Sequence, residues 1–106
     1  HLRIQSILSG LSLEEAYKNA SSIEKRLDAD FDFAYSDNLG SLTHCPSNLG
    51  TGMRASVMMF MPALSRGGYI PSLAAQLAKL GLAMRGLFGE GSGSAGCMYQ
   101  ISNQKI

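Results

Sequence analysis

The chain has 106 residues, of which 45% are hydrophobic, with nine basic and eight acidic side chains. This composition excludes a disordered chain, and the length gives room for one core, so we expect a single domain over residues 1–106. No apolar run approaches the ~20 residues of a membrane-spanning helix and no signal segment opens the sequence, so we expect a cytoplasmic protein with no membrane partner. The two cysteines, Cys45 and Cys97, are too few for a disulfide scaffold and are expected to be thiols.

The charges are unevenly distributed along the chain. Residues 1–37 carry four basic and seven acidic side chains, whereas residues 38–106 carry five basic and one acidic, together with 11 of the 12 glycines. Glycines with singly spaced basic residues favour a site for a compact phosphate ligand. Nucleic-acid binders more often cluster Lys and Arg with aromatic residues, so no direct nucleic-acid partner is expected.

The acidic part predicts a strand, a helix and a hairpin. Residues 2–8 place apolar side chains on one face of an extended strand, with Arg3 on the other. Ser12 and Glu15 form a capping box in front of a helix, whose apolar side chains recur at three- and four-residue steps and predict one buried stripe. Alternating aromatic residues followed by turn residues predict a hairpin over residues 31–43. The predicted stripe comprises Leu13, Ala16, Tyr17, Ala20, Ile23 and Leu27.

The basic part predicts a strand, a second helix and two further strands. Residues 53–61 are apolar almost throughout, which predicts a central strand buried on both faces, with Arg54 on it. A helix is predicted over residues 71–80, and strands over residues 82–88 and 97–101. Hairpin-like connections mixed with two helices favour an α+β fold, a mostly antiparallel sheet flanked by helices.

The strongest local signal is Cys-Pro-Ser-Asn-Leu-Gly-Thr-Gly-Met-Arg at residues 45–54. It is not a P-loop, because it has no lysine and leads into a strand. Turn geometry accounts for its glycines but not for an arginine on an apolar strand, for which an anion is the expected partner. Arg3, Arg54 and Arg85 all fall on predicted strands, so their forked donors are candidates to converge on one polyphosphate.

Other candidate residues have simpler alternatives. Residues 91–96 match the dinucleotide fingerprint, but a strand follows instead of a helix, so they predict a loop, either an inert connection or a lid. His44 is not expected to act as a base for Cys45, since adjacent strand residues point to opposite faces. A buried, inert thiol is the alternative for Cys45 and the expected state of Cys97 in its apolar strand, and their spacing predicts no metal site. Glu90 is either an exposed loop acid or the carboxylate that holds a cationic substrate beside a bound polyanion.

The chain resembles the ATP:guanidino phosphotransferases, or phosphagen kinases, along essentially its whole length. The resemblance rests on His-Leu-Arg-Ile at residues 1–4, the signature at 45–54, and Met-Arg-Gly at 84–86 with Gly-Glu at 89–90. It implies the glutamine-synthetase-like catalytic domain of that family, present here in part. The runs most similar to the bacterial protein-arginine kinase branch are residues 33–36, 54–58, 89–92 and 100–104.

The resemblance also implies roles for six side chains. Cys45 would be a thiolate that touches the substrate guanidinium, with Ser47 as a hydrogen-bond donor that lowers its pKa. Glu90 would pair with the same guanidinium. Mg²⁺ would bridge the phosphates of ATP without protein ligands of its own. The phosphate contacts would come from Arg3, Arg54 and Arg85.

The implied function is transfer of the γ-phosphoryl of ATP to arginine side chains in proteins, with ADP as the product. The implied partners are stress-response repressors and protease-associated unfolding machinery. Met58 and the pair Leu87-Phe88 depart from kinases of free guanidino compounds. A kinase of free arginine or creatine and a non-catalytic nucleotide-binding module remain as alternatives. Because the family's main catalytic glutamate precedes the segment that resembles residues 1–4, we expect this chain to be inactive alone.

Overall fold

The computed structural model of the chain describes residues 2–86 and 96–104. The chain divides between Met53 and Arg54 into two compact units. None of the helices among the described residues is long and apolar enough to cross a membrane. The expectation of one domain over residues 1–106 stays a prediction.

The first unit contains one long helix and a small hairpin. Helix α1 spans Leu13–Asp30, and strands β1 (Tyr35–Ser36) and β2 (Gly40–Ser41) pair antiparallel. The helix ends where the backbone N–H of Phe31 donates to the carbonyl of Leu27 at 2.8 Å. The predicted helix and hairpin are therefore confirmed, the hairpin with shorter strands than its aromatic alternation suggested.

The predicted capping box is wrong. The Ser12 hydroxyl donates to the carbonyl of Ser9 at 3.1 Å, and no side chain caps α1. A capping hydroxyl normally reaches the first-turn amides from an extended backbone. Ser12 lies at ψ 39°, outside that region, so its hydroxyl faces back along the chain.

Two further expectations for the first unit are wrong. Residues 2–8 form no strand, because no described segment pairs with them, and Arg3 is exposed on irregular backbone. The apolar stripe of α1 is not buried: Leu13, Tyr17 and Ile23 are exposed, since no other described helix or strand of the unit packs extensively against it. Periodicity predicted the helix correctly but could not supply a partner for its apolar side.

The second unit is a three-stranded antiparallel sheet with two helices, which confirms the α+β fold. Its strands are β3 (Ser56–Phe60), β4 (Leu82–Gly86) and β5 (Met98–Asn103), in the order β3-β5-β4. Helix α2 spans Pro62–Arg66 and was not predicted, whereas α3 spans Ile70–Lys79 and begins one residue before the predicted start.

The prediction that residues 53–61 form a central strand buried on both faces is wrong. The middle strand is β5, and β3 lies at one edge of the described sheet. Met58 and Phe60 on β3 are 55% and 66% exposed. An apolar run specifies an extended strand, but its burial depends on which strands lie beside it, and that order is set by pairing between distant segments.

The core of the second unit lies between β5 and α2. Tyr99 on β5 and Met61, just before α2, are the buried hydrophobic residues of the described chain, at 8% and 9% exposure. The backbone N–H of Met61 donates to the carbonyl of Cys97 at 2.9 Å. These contacts anchor the start of α2 at the point where β5 begins.

Candidate functional site

The signature loop of the first unit begins with a single 3-10 turn at Pro46–Asn48. Cys45 precedes the turn on extended backbone, and its carbonyl accepts hydrogen bonds from the Asn48 amide at 2.9 Å and the Thr43 hydroxyl at 2.8 Å. Cys45 is exposed, so the alternative of a buried, inert thiol is wrong for this residue. The turn fixes the backbone of Cys45 and leaves the residue accessible to a substrate.

The same loop is bonded back onto the hairpin. The amide of Ser41 donates to the carbonyl of Gly50 at 2.7 Å, and the amide of Gly50 donates to the carbonyl of Ser41 at 3.4 Å. A Cβ on Gly40 would lie 2.8 Å from the Cα of Gly50, closer than real Cβ contacts allow. Gly40 and Gly50 both have positive φ, of 75° and 117°. Turn geometry and close backbone approach therefore account for these glycines.

Arg54 opens the second unit and lies two residues before β3 begins at Ser56. It is exposed, so the expectation of a desolvated guanidinium on an apolar strand is wrong. Strand β3 begins only at Ser56 because the Ala55 backbone pairs irregularly with Asn103. The Ala55 amide donates to the Asn103 side chain, and the Ala55 carbonyl accepts from the Asn103 backbone. Arg54 thus extends from the point where irregular backbone meets the sheet.

Arg85 lies on β4, as predicted, and is exposed. The register places Arg85 opposite Gln100, which lies opposite Met58 on the other side of β5. Since neighbouring strand residues point to opposite faces, Gln100 lies on the face opposite that of buried Tyr99. Arg85, Gln100 and Met58 therefore form one row across the open face of the sheet.

Gln100 is also fixed within that open face. Its Nε2 donates to the Ser56 hydroxyl at 3.0 Å, a diagonal contact between β5 and β3. Long side chains reach such diagonal neighbours across antiparallel strands. Arg85 lies level with Gln100 of β5, and Ala55 lies level with Asn103. These two positions are three residues apart, which is about 10 Å along the strand.

The predicted site residues are divided between the two units. Arg3 and Cys45 belong to the first unit, as does Ser47, whose backbone is in the 3-10 turn. Arg54 and Arg85 belong to the second unit, Arg54 two residues before β3 and Arg85 on β4. Residues 87–95, which include Glu90, the pair Leu87-Phe88 and most of the predicted loop, lie outside the described residues. Of the three arginines expected on strands, only Arg85 is on one.

The second cysteine lies just before β5. Cys97 is partly exposed and has a positive φ of 49°, unlike any other described residue except glycine. It therefore does not fit the expectation of a buried thiol within an apolar strand.

The arginines of the second unit carry unneutralised charge in the described structure. The ion pair found within residues 2–86 and 96–104 joins Lys18 to Glu14, at 3.5 Å. No described carboxylate lies within ion-pair distance of Arg54 or Arg85. In the same part of the chain, no three His, Cys, Asp or Glu side chains come together as metal ligands do. The exposed guanidinium groups are suited to bind an anionic ligand.

No individual role was predicted from the sequence for Ser56, Gln100 or Asn103. All three are polar residues on strands that also carry apolar residues, and that contrast was the available signal. Their hydrogen bonds join residues more than 40 positions apart, so their partners could not be read from local pattern.

Comparison with known proteins gives consistent matches. The family model of the ATP:guanido phosphotransferase C-terminal catalytic domain matches residues 1–106. The protein-arginine kinase of Clostridium acetobutylicum is 49% identical over 104 residues, which cover 98% of this chain and 31% of that protein. The protein-arginine kinase of Symbiobacterium thermophilum is 51% identical, with 98% and 30% covered. The chain thus spans about a third of the length of these relatives.

Two solved structures are also similar. The substrate-free duplicated taurocyamine kinase from Schistosoma mansoni has a TM-score of 0.73 and 38% identity, over 91% of this chain and 13% of that chain. A crystal structure of lombricine kinase has a TM-score of 0.60 and 32% identity, over 87% of this chain and 25% of that chain.

Proposed function

Because the chain belongs to the family of ATP:guanido phosphotransferases, whose C-terminal catalytic domain it matches throughout, we propose that it is part of a protein-arginine kinase. The whole protein would move the γ-phosphoryl of ATP to the guanidinium of arginine residues in proteins and release ADP. The identity of 44% to 51% with proteins named protein-arginine kinase favours this substrate class. This chain would supply nucleotide and substrate contacts and would be inactive alone.

The observation that carries the proposal is the pair of exposed arginines in the second unit. Arg85 extends from β4 and Arg54 from the backbone just before β3, and neither has a described carboxylate partner. Phosphoryl transfer depends on cations that neutralise charge on the phosphates as the bond to the leaving oxygen breaks. Guanidinium groups do this with two parallel donors each. The residues present therefore fit a nucleotide polyphosphate.

The remaining roles are proposed on the family resemblance. Arg3 would add a third phosphate contact, and Mg²⁺ would arrive with ATP and be held by its phosphates. The Cys45 thiolate, assisted by Ser47, would orient the substrate guanidinium, and Glu90 would pair with it. The exposure of Cys45 on a bonded loop supports its part in this scheme.

A kinase of a free guanidino compound is the second candidate. It is favoured by the likeness to structures named taurocyamine kinase and lombricine kinase, at 38% and 32% identity. Those identities are lower than the ones with protein-arginine kinases, and Met58 stands where kinases of free guanidino compounds usually carry histidine. A non-catalytic nucleotide-binding module is the third.

The deciding experiment is phosphoryl transfer by the whole protein that contains this chain. Mg-ATP would be supplied with an arginine-rich protein, with free arginine or with creatine, and acid-labile phosphate would be measured. We expect label on protein arginine alone. Label on a free compound would establish the second candidate, and bound nucleotide without transfer to any acceptor would establish the third. Arg66→Ala, which removes an exposed arginine on α2, is the matched control for Arg54→Ala and Arg85→Ala.

The cellular setting is proposed on the same resemblance. We place the protein in the cytoplasm, with stress-response repressors among its substrates and with protease-associated unfolding machinery as a partner. Phosphoarginine mapping in cells with and without the protein tests the substrates, and co-purification with the unfolding machinery tests the partner.

A further inference from the structure

Asn103 contacts both backbone polar groups of Ala55, across a separation of 48 residues. Its side-chain Oδ1 accepts a hydrogen bond from the Ala55 amide at 2.9 Å. The backbone N–H of Asn103 donates to the Ala55 carbonyl at 3.3 Å. Asn103 is the last residue of β5, where the register also places it opposite Leu82 of β4.

The side chain of Asn103 takes the place of a backbone carbonyl. In a regular antiparallel pair, two opposed residues exchange two bonds between their backbones. Here the second bond comes from the carboxamide, so its loss would remove this acceptor from a partly buried amide. The contact therefore depends on the identity of residue 103, unlike the backbone bonds of the rest of the ladder.

Ala55 is the residue directly after Arg54. Residues 52–55 belong to no helix or strand. The two hydrogen bonds between Ala55 and Asn103 are therefore where this backbone is first fixed to the sheet. The guanidinium of Arg54 is exposed and forms no ion pair among the described residues. The position of the Arg54 backbone, from which its side chain extends, therefore depends on how firmly Ala55 is held.

We propose that Asn103 is a positioning residue for Arg54. By holding Ala55, it orders the backbone from which the Arg54 guanidinium extends, so less ordering is required when a phosphate binds. The inference rests on the proposed function, in which Arg54 contacts the nucleotide. Asn103 itself touches no reacting atom in this scheme.

The test is a double-mutant cycle in the whole protein, with the dissociation constant for Mg-ATP as the readout. We expect Asn103→Ala to weaken binding about tenfold, because small displacements of a binding group have effects of this size or larger. In the Arg54→Ala background the same change is expected to weaken binding less than twofold. Asn103→Asp keeps the acceptor oxygen but adds a negative charge beside Ala55, so it is expected to keep the fold while binding Mg-ATP more weakly than the unmutated protein.

The matched control is Gln104→Ala. Gln104 directly follows Asn103, is exposed and also carries a side-chain amide. The backbone N–H of Gln104, not its side chain, donates to the Gly81 carbonyl at 3.0 Å. We expect no change in Mg-ATP affinity. If Asn103→Ala does not fold, Asn103→Ser, whose shorter hydroxyl does not reach the Ala55 amide in the same way, enters the cycle instead.

The outcomes separate the two claims. Equal losses from Asn103→Ala in both backgrounds, or no loss in either, would overturn the positioning role. If Arg54→Ala alone leaves Mg-ATP affinity unchanged, the phosphate role of Arg54 in the proposed function fails first. Thermal unfolding of each variant checks that a loss of affinity is not a loss of fold.

Discussion

The hydroxyl groups of Tyr99 and Ser65 lie 3.1 Å apart and join the middle strand β5 to helix α2. Tyr99 is 8% exposed, which makes this hydrogen bond the polar contact at the centre of the core of the second unit. A buried tyrosine hydroxyl usually requires such a partner. The pair therefore holds the helix against the face opposite Arg85.

Removal of that hydroxyl is expected to destabilise the protein. Tyr99→Phe keeps the ring and deletes the hydrogen bond, so we expect the free energy of unfolding to fall by about 1 kcal/mol. Tyr69→Phe is the control, because Tyr69 is 62% exposed. Urea denaturation measures both, and equal changes would contradict a role for the contact with Ser65.

The close approach of Gly40 to Gly50 gives a second prediction. Gly40→Ala forces a Cβ against the Gly50 backbone, whereas Gly10 has nearly the same φ, 74° against 75°, and nothing within 4 Å of its Cβ position. Gly10→Ala should therefore cost about 1 kcal/mol from backbone strain alone. Gly40→Ala should cost about 1–3 kcal/mol more, as overpacking does. Chemical denaturation of the two variants measures the difference.

The variants Gly40→Ala and Gly10→Ala also test whether the loop that carries Cys45 contributes to phosphoryl transfer. Since Gly50 belongs to the loop that carries Cys45, displacement of Gly50 is expected to lower phosphoryl transfer by the whole protein. Gly10→Ala is expected to leave transfer unchanged at a temperature where both variants are folded. Equal rates for the two would show that this approach serves stability alone.

Arg85 is predicted to bind phosphate through its forked donors. We expect Arg85→Ala to weaken Mg-ATP binding by about 1.5–3 kcal/mol, the usual contribution of a hydrogen bond to a charged group. Arg85→Lys keeps the charge but loses the two parallel donors, so it is expected to restore only part of the affinity. Full recovery with lysine would indicate simple charge attraction, and Arg66→Ala sets the baseline.

Cys45 is predicted to be the more reactive thiol. It is exposed, whereas Cys97 is only partly exposed, and alkylation depends on access as well as on thiolate content. Mass spectrometry after brief treatment with iodoacetamide should find Cys45 modified first. We expect an arginine-containing substrate to slow that modification and Cys45→Ser to reduce transfer, while Cys97→Ser does neither. Faster reaction at Cys97 would contradict the exposure that the structure gives.

Local sequence pattern predicted the elements that local interactions form. The two longer helices, the hairpin and the strands around residues 82–86 and 98–103 follow from periodicity and turn residues within a few positions of each other. The order β3-β5-β4 was not predictable in this way, because β3 pairs with a strand some 40 residues later. The burial of residues 53–61 was therefore predicted wrongly although the strand exists.

The candidate site was predictable to a similar degree. The signature at residues 45–54 indicated Cys45 and Arg54 from residue identity alone, and Arg85 is on the strand expected for it. The supporting contacts were not predictable, because Asn103 with Ala55 and Gln100 with Ser56 are meetings of distant segments. Motifs indicate which groups bind a ligand, whereas tertiary pairing determines which groups hold them.

The position of β5 between β3 and β4 has a consequence for biosynthesis. The strand that pairs with both neighbours is the last of the three to leave the ribosome, so within the described residues β3 and β4 have no strand partner until residues 98–103 emerge. Sheet formation then requires closure of a long chain segment, which is a slow kind of folding step. During that interval the apolar edge formed by Met58, Met59 and Phe60 is open to aggregation. A stop codon before Met98 would thus remove every strand pairing described for this sheet rather than one strand.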